Sequence, residues 1–133
     1  MIGRGAAGLA ALALVAASPS GGLADAARGE RVFQRCYACH SVQAGEERLP
    51  GPNLRCVLGR RAGTRAGFEF SPAMVAAGAA RGLVWTHATL AAFLADPERV
   101  VPGTTMALPS LPAPDDVRDV IDYLAAASQG CPA

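Results

Sequence analysis

The chain has 133 residues, 51% of them hydrophobic but only 5% aromatic, and its 12 basic residues, all arginine, face 11 acidic ones. A formal net charge of +1 argues against strong binding to nucleic acid or to an anionic membrane, both of which call for a concentrated basic surface. The length is that of one domain, with a core small enough to gain from a buried supplement.

Residues 1–24 read as a segment apart from the fold. Met1–Arg4 carries a single arginine, Ala6–Ala17 is a run of small residues and leucine, and Ser18–Gly22 breaks it. Gly22-Leu23-Ala24 then offers small residues for cleavage before Asp25, the layout of a secretory signal peptide. A retained anchor is the alternative, but the apolar run falls short of the ~20 residues that span a bilayer. Cleavage after Ala24 leaves a near-neutral domain over 25–133 in an oxidising compartment, with no stable membrane insertion.

Asp25 is placed to cap a first helix running to about Ala38. Gly29, Val32, Phe33 and Cys36 fall at i, i+3, i+4 and i+7, so one face is apolar and ends at a cysteine. There stands Cys36-Tyr37-Ala38-Cys39-His40. Two cysteines with two residues between them and a histidine directly after match the attachment sequence of a c-type haem. Each thiol can form a thioether to one vinyl group, and the next imidazole lies where it can ligate the iron. A redox dithiol is the first alternative, but no strand feeds a helix here. Half a zinc site is the second, but the other half is missing: Cys56 and Cys131 are isolated and His87 is the one other histidine.

From Ser41 to Gly67, prolines and glycines punctuate the chain and no period is sustained, so the segment reads as loop. So long a loop is out of proportion for a small domain unless it wraps a cofactor. Ser71-Pro72 caps a short helix ending near Gly78. Thr86 caps a third, with Leu90, Phe93 and Leu94 on one face and Pro97 at its end. His87 opens that helix as a solvated side chain. Val100–Pro114 is proline-rich and reads as extended and ordered, with Met106 in its middle. Asp115 and Asp116 favour the first turn of a last helix, Val117, Val120, Ile121 and Leu124 give its apolar face, and Gly130 ends it.

With these blocks in order, the chain resembles the class I cytochromes c of the mitochondrial and short soluble bacterial type. The resemblance runs from about Gly29 to Ser128. It rests on Gly29-Glu30-Arg31-Val32-Phe33, the Cys36–His40 motif, Gly51-Pro52-Asn53-Leu54, Gly59-Arg60, Trp85, Pro102-Gly103-Thr104-Thr105-Met106 and Ile121-Asp122-Tyr123-Leu124. It implies an all-α fold of about four helices wrapped around one covalent haem c held by Cys36 and Cys39. It implies His40 and Met106 as iron ligands, Pro52 as the carbonyl that orients His40, and Arg60 and Trp85 as partners of a haem propionate. Gly29 and Phe33 would meet Val120, Tyr123 and Leu124 where the first and last helices cross. Met74 is the rival methionine, but it lies on a short helix without the Pro-Gly-Thr-x-Met context.

Several positions depart from the family's pattern. Phe70 and Phe93 stand where tyrosine is usual, which removes one hydroxyl that bonds a propionate and another that reaches toward the methionine sulfur. Leu108 replaces a phenylalanine common at the haem edge, and Val100 and Thr105 occupy positions that are often lysine or aromatic. The ring of lysines offered to partners is missing, which implies more apolar, less salt-dependent docking. Cys56 stands where glycine is usual. Two leftover cysteines in an exported chain suggest a disulfide between Cys56 and Cys131, two unpaired thiols being the alternative.

The expected function is single-electron transfer by a monomeric periplasmic carrier, not an enzyme, between a redox donor and a redox acceptor. Should Met106 leave the iron readily, a ligand-binding or peroxide-reducing haem protein is the alternative. A non-redox module with structural zinc is a third reading, for which the chain offers few ligands.

Overall fold

The computed structural model describes residues 21–106, 111 and 113–132. Five helices follow in order: α1 (Gly21–Phe33), α2 (Pro72–Ala79), α3 (His87–Ala95), α4 (Pro97–Val100) and α5 (Pro114–Ala127). There is no strand among the described residues, and a single isolated antiparallel bridge joins Arg61 to Val84. The architecture is all-α, with one short helix more than the four expected. Residues 1–20 of the expected leader and Leu108 lie outside the described residues, while Gly21–Ala24 begin α1.

The first and last helices form the frame. Phe33, Val120 and Leu124 are buried at their crossing, and the Phe33 ring lies 5.2 Å from that of Tyr123. Gly29 permits the approach: a Cβ there would stand 1.8 Å from the Asp119 carbonyl oxygen and 2.7 Å from Tyr123 Cβ. The Arg28 guanidinium closes the same interface by donating to the Asp119 carboxylate at 2.9 Å.

The ends of α1 differ from the reading of the sequence. Asp25 is not its cap, since the helix already runs from Gly21, and the carboxylate pairs instead with Arg28 one turn on. The C-terminal end falls at Phe33, not near Ala38. Beyond it the backbone tightens to i→i−3 bonds, Arg35 N to Val32 O at 3.2 Å and Cys36 N to Phe33 O at 2.8 Å. Nothing in the propensities of Gln34–Ala38 ends a helix. Packing ends it, because the tighter turn carries Cys36 and His40 inward.

The middle helices begin where the local chemistry says. Ser71 accepts from Met74 N and Pro72 opens α2. Thr86 and Thr89 exchange side-chain and backbone bonds in a capping box that starts α3. Pro97 does end α3, because the residue before a proline is pushed out of the helical region and Asp96 adopts φ −155° and ψ 86°. The same proline sits in the first turn of α4, whose amide at Arg99 is capped by Asp96 at 3.1 Å. α5 keeps the expected face, with Val117, Val120, Ile121 and Leu124 buried.

Candidate functional site

Cys36 and Cys39 lie within the turns that follow α1. Cys36 is buried and Cys39 exposed. The amides of Cys39 and His40 both donate to Cys36 O, at 3.0 and 2.8 Å. One turn of backbone therefore presents both sulfurs and then the imidazole. Burial raises the Cys36 thiol pKa, with Arg35 opposing.

His40 is 7% exposed, and its Nδ1 donates to Pro52 O at 2.7 Å. Burial lowers its pKa, only partly offset by that bond. A neutral ring whose Nδ1 carries the proton keeps the lone pair on Nε2, which has no hydrogen-bond partner among the described residues. Gly51 makes the arrangement fit: its amide donates to Cys39 O at 2.8 Å, and a Cβ there would stand 2.5 Å from His40 Cε1.

Pro52 is held through its neighbour. Asn53 is 1% exposed and uses its whole side chain, with Nδ2 donating to Gln43 O at 2.6 Å and Glu46 O at 2.9 Å while Oδ1 accepts from Arg55 N at 2.8 Å. Asn53 belongs to the Gly51-Pro52-Asn53-Leu54 block, and the resemblance implies no role for it. An amide in a Gly-Pro-Asn turn is the signal that could have suggested one.

Arg60 and Trp85 face each other across the isolated bridge. Trp85 N donates to Arg60 O at 2.9 Å and Gly59 N to Trp85 O at 2.8 Å. The Trp85 ring is buried, with its centroid 5.0 Å from that of Phe93. The half-buried Arg60 guanidinium donates to the carbonyls of Asn53, at 3.2 Å, and Arg55. Burial lowers its pKa and the charge of Arg65 adds to the effect, with Glu47 opposing. Arg65 itself pairs with Glu47.

Met106 lies past α4 and beyond the turn at Pro102 and Gly103, half-buried against the core, its amide donating to Thr104 Oγ1 at 3.3 Å. Met74 is buried within α2, and His87 is exposed at the start of α3. Among the described residues, no group of three His, Cys, Asp or Glu side chains could hold a metal ion.

Cys56 and Cys131 form a disulfide, with their Cα atoms 5.7 Å apart. Cys56 has a φ of +58°, a left-handed conformation in a residue other than glycine. Glycine would adopt this conformation without the cost that a Cβ brings.

A buried imidazole with one nitrogen on a carbonyl and the other without a partner, set one residue after a pair of closely spaced thiols, is suited to a covalently bound haem. Fold and site together define a c-type cytochrome. The cytochrome c family model matches residues 26–128, and the chain belongs to this family. Cytochrome c2 iso-2 of Magnetospirillum molischianum is 48% identical over 101 residues, covering 76% of this chain and 96% of that protein. Among solved structures, cytochrome cH from Methylobacterium extorquens is 42% identical with a TM-score of 0.69, covering 77% of this chain and 98% of its own. Cytochrome c2 from Rhodospirillum centenum is 37% identical with a TM-score of 0.73, covering 78% and 98%. Like the family, the protein is an electron carrier with one covalently bound haem c.

Proposed function

We propose that the protein is an exported periplasmic carrier that passes single electrons between a larger donor and an acceptor without transforming a substrate. A bound haem would supply the one-electron redox chemistry. The protein's part is to hold and tune it. Cys36 and Cys39 form the thioether links. His40 would ligate the iron, and donation from its Nδ1 to Pro52 would raise its basicity. Met106 would be a second ligand, a soft thioether that favours ferrous iron and would raise the potential. Arg60 and Trp85 take a propionate, offsetting the burial of its charge. The observation that carries this reading is the buried His40 ring, fixed by Pro52 beside the two cysteines.

Export rests on the composition of residues 1–24, which we assign as a cleaved leader; no helix among the described residues is long and apolar enough to cross a membrane. The absence of lysine supports docking that is more apolar than ionic, by a monomer, on partners of the same kind. A second reading, in which a small ligand displaces Met106, draws on the local hydrogen bonding of that residue among the described residues, its amide to Thr104 Oγ1. Absorption spectra of the oxidised and reduced protein test both. A low-spin c-type spectrum with a long-wavelength methionine-to-iron band is expected. High-spin features without that band, and ready carbon monoxide binding at neutral pH, would replace electron transfer by ligand or peroxide chemistry.

A further inference from the structure

The end of α5 is fastened to the loop beyond Pro52 at several points. Arg55 donates through Nη1 to Ala127 O at 2.7 Å and through Nη2 to Gln129 O at 2.9 Å. Those carbonyls lie at and just past the end of α5, where helices leave acceptors without partners. Cys56 N donates to Ser128 Oγ at 2.9 Å, and that hydroxyl donates back to Leu124 O at 2.6 Å. The Cys56–Cys131 disulfide closes the set across 75 residues.

The same short loop reaches the site in the other direction. Arg55 N bonds the Asn53 side chain, and Asn53 is the residue whose peptide plane carries the Pro52 carbonyl that faces His40. Arg60, the residue assigned to a propionate, donates to the carbonyls of Asn53 and Arg55. Two of the expected haem contacts therefore hang on residues 52–55, and residues 55 and 56 hang on the end of α5.

A bridge meant only to shorten the unfolded chain could sit anywhere on the surface. This one falls four residues after Pro52, at a cysteine held in a left-handed conformation that glycine would adopt without cost. From this placement we infer that Arg55 and the Cys56–Cys131 bridge are positioning groups, which hold the Pro52 carbonyl on His40 Nδ1 and so let the C-terminal end of α5 set the basicity of the ligand imidazole. The inference rests on the proposed ligand role of His40.

The test uses the holoprotein in three forms: wild type, Arg55→Met, and the double variant Cys56→Gly with Cys131→Ser. Glycine accepts the φ of +58°, so the double variant loses the bridge without added backbone strain. Three quantities are read: solvent exchange of the His40 ring N–H by NMR in the reduced state, midpoint reduction potential, and thermal unfolding. Both variants are expected to keep a c-type spectrum while ring N–H exchange quickens by about tenfold, the effect of loosening one hydrogen bond. The potential should move in the positive direction, because a less basic imidazole stabilises ferric iron less. A lowered melting temperature with exchange and potential unchanged would overturn the inference and leave the bridge a stabiliser only. A wild type without His40 ligation would overturn the underlying reading instead, and would show it before any variant is compared.

Discussion

The His40 ring is hydrogen-bonded to a partner distant in the chain, while among the described residues the backbone at Met106 is hydrogen-bonded to residues beside it. The His40 ring meets Pro52 twelve residues on, and the loop carrying Pro52 is tied through Arg55 to Ala127, 72 residues away. Around Met106, the amides of Gly103, Thr104 and Met106 bond to Glu98, Val101 and Thr104, reaching back two to five residues. A group fixed by long-range contacts opens only with much of the fold, whereas one fixed by a local turn opens at small cost. Under the proposed ligation, one ligand is part of the framework and the other sits on a segment whose hydrogen bonds among the described residues are local.

The largest effect should come from removing each proposed ligand in turn. His40→Ala is expected to abolish accumulation of the low-spin haem protein, whereas Met106→Ala should keep haem attachment and most of the stability while opening the iron to carbon monoxide. Haem staining and titration with carbon monoxide read the two apart. Equal loss in both variants would break the comparison.

Phe33→Ala empties a fully buried site between α1 and α5 and should cost about 3–5 kcal/mol in denaturant unfolding, loosening the framework ligand first. On a smaller scale, Asn53→Ala removes three hydrogen bonds from a fully buried residue beside Pro52, for a loss of about 2–3 kcal/mol. Thr104→Ala removes one bond under Met106 and should cost no more than about 1 kcal/mol. If the two costs were the same, the distinction between framework and local segment would be lost.

Acid gives the smallest effect. The hydrogen bond from Arg28 lowers the Asp119 pKa, with the charges of Arg28 and Arg118 adding and burial opposing. A carboxylate whose folded pKa is depressed contributes stability above its unfolded value of about 4, and that contribution is lost as pH falls. Unfolding free energy should therefore decline below about pH 4, and Arg28→Met should flatten that slope. A slope unchanged in the variant would show that the ion pair carries none of it.

What could be read without coordinates was local chemistry. The starts of α2 and α3 were legible because Ser71 and Thr86 cap amides three residues ahead, within reach whatever the fold. The cysteine spacing and the histidine after it were legible for the same reason, as was the apolar face of α5. The caps of α1 were misread because its N-terminal end precedes Asp25 and its C-terminal end is set by packing. α4 was missed because a four-residue helix leaves no period to detect.

Distance along the chain marks the boundary. Cysteine count raised the pairing of Cys56 with Cys131 but left it open, since only the folded chain shows two residues 75 apart brought to a Cα separation of 5.7 Å. The two Arg55 bonds to the end of α5 carry no sequence signal at all, because an arginine in a loop can point anywhere until a helix terminus arrives with carbonyls to accept it. The His40–Pro52 bond was implied by family resemblance, not by any spacing rule, and its geometry depends on Gly51 letting the loop press against the ring. Short-range hydrogen bonding is written in neighbouring residues, so the sequence alone reveals the haem motif and most helix starts. The support that separates His40 from Met106 comes from segments that meet only after the core has closed.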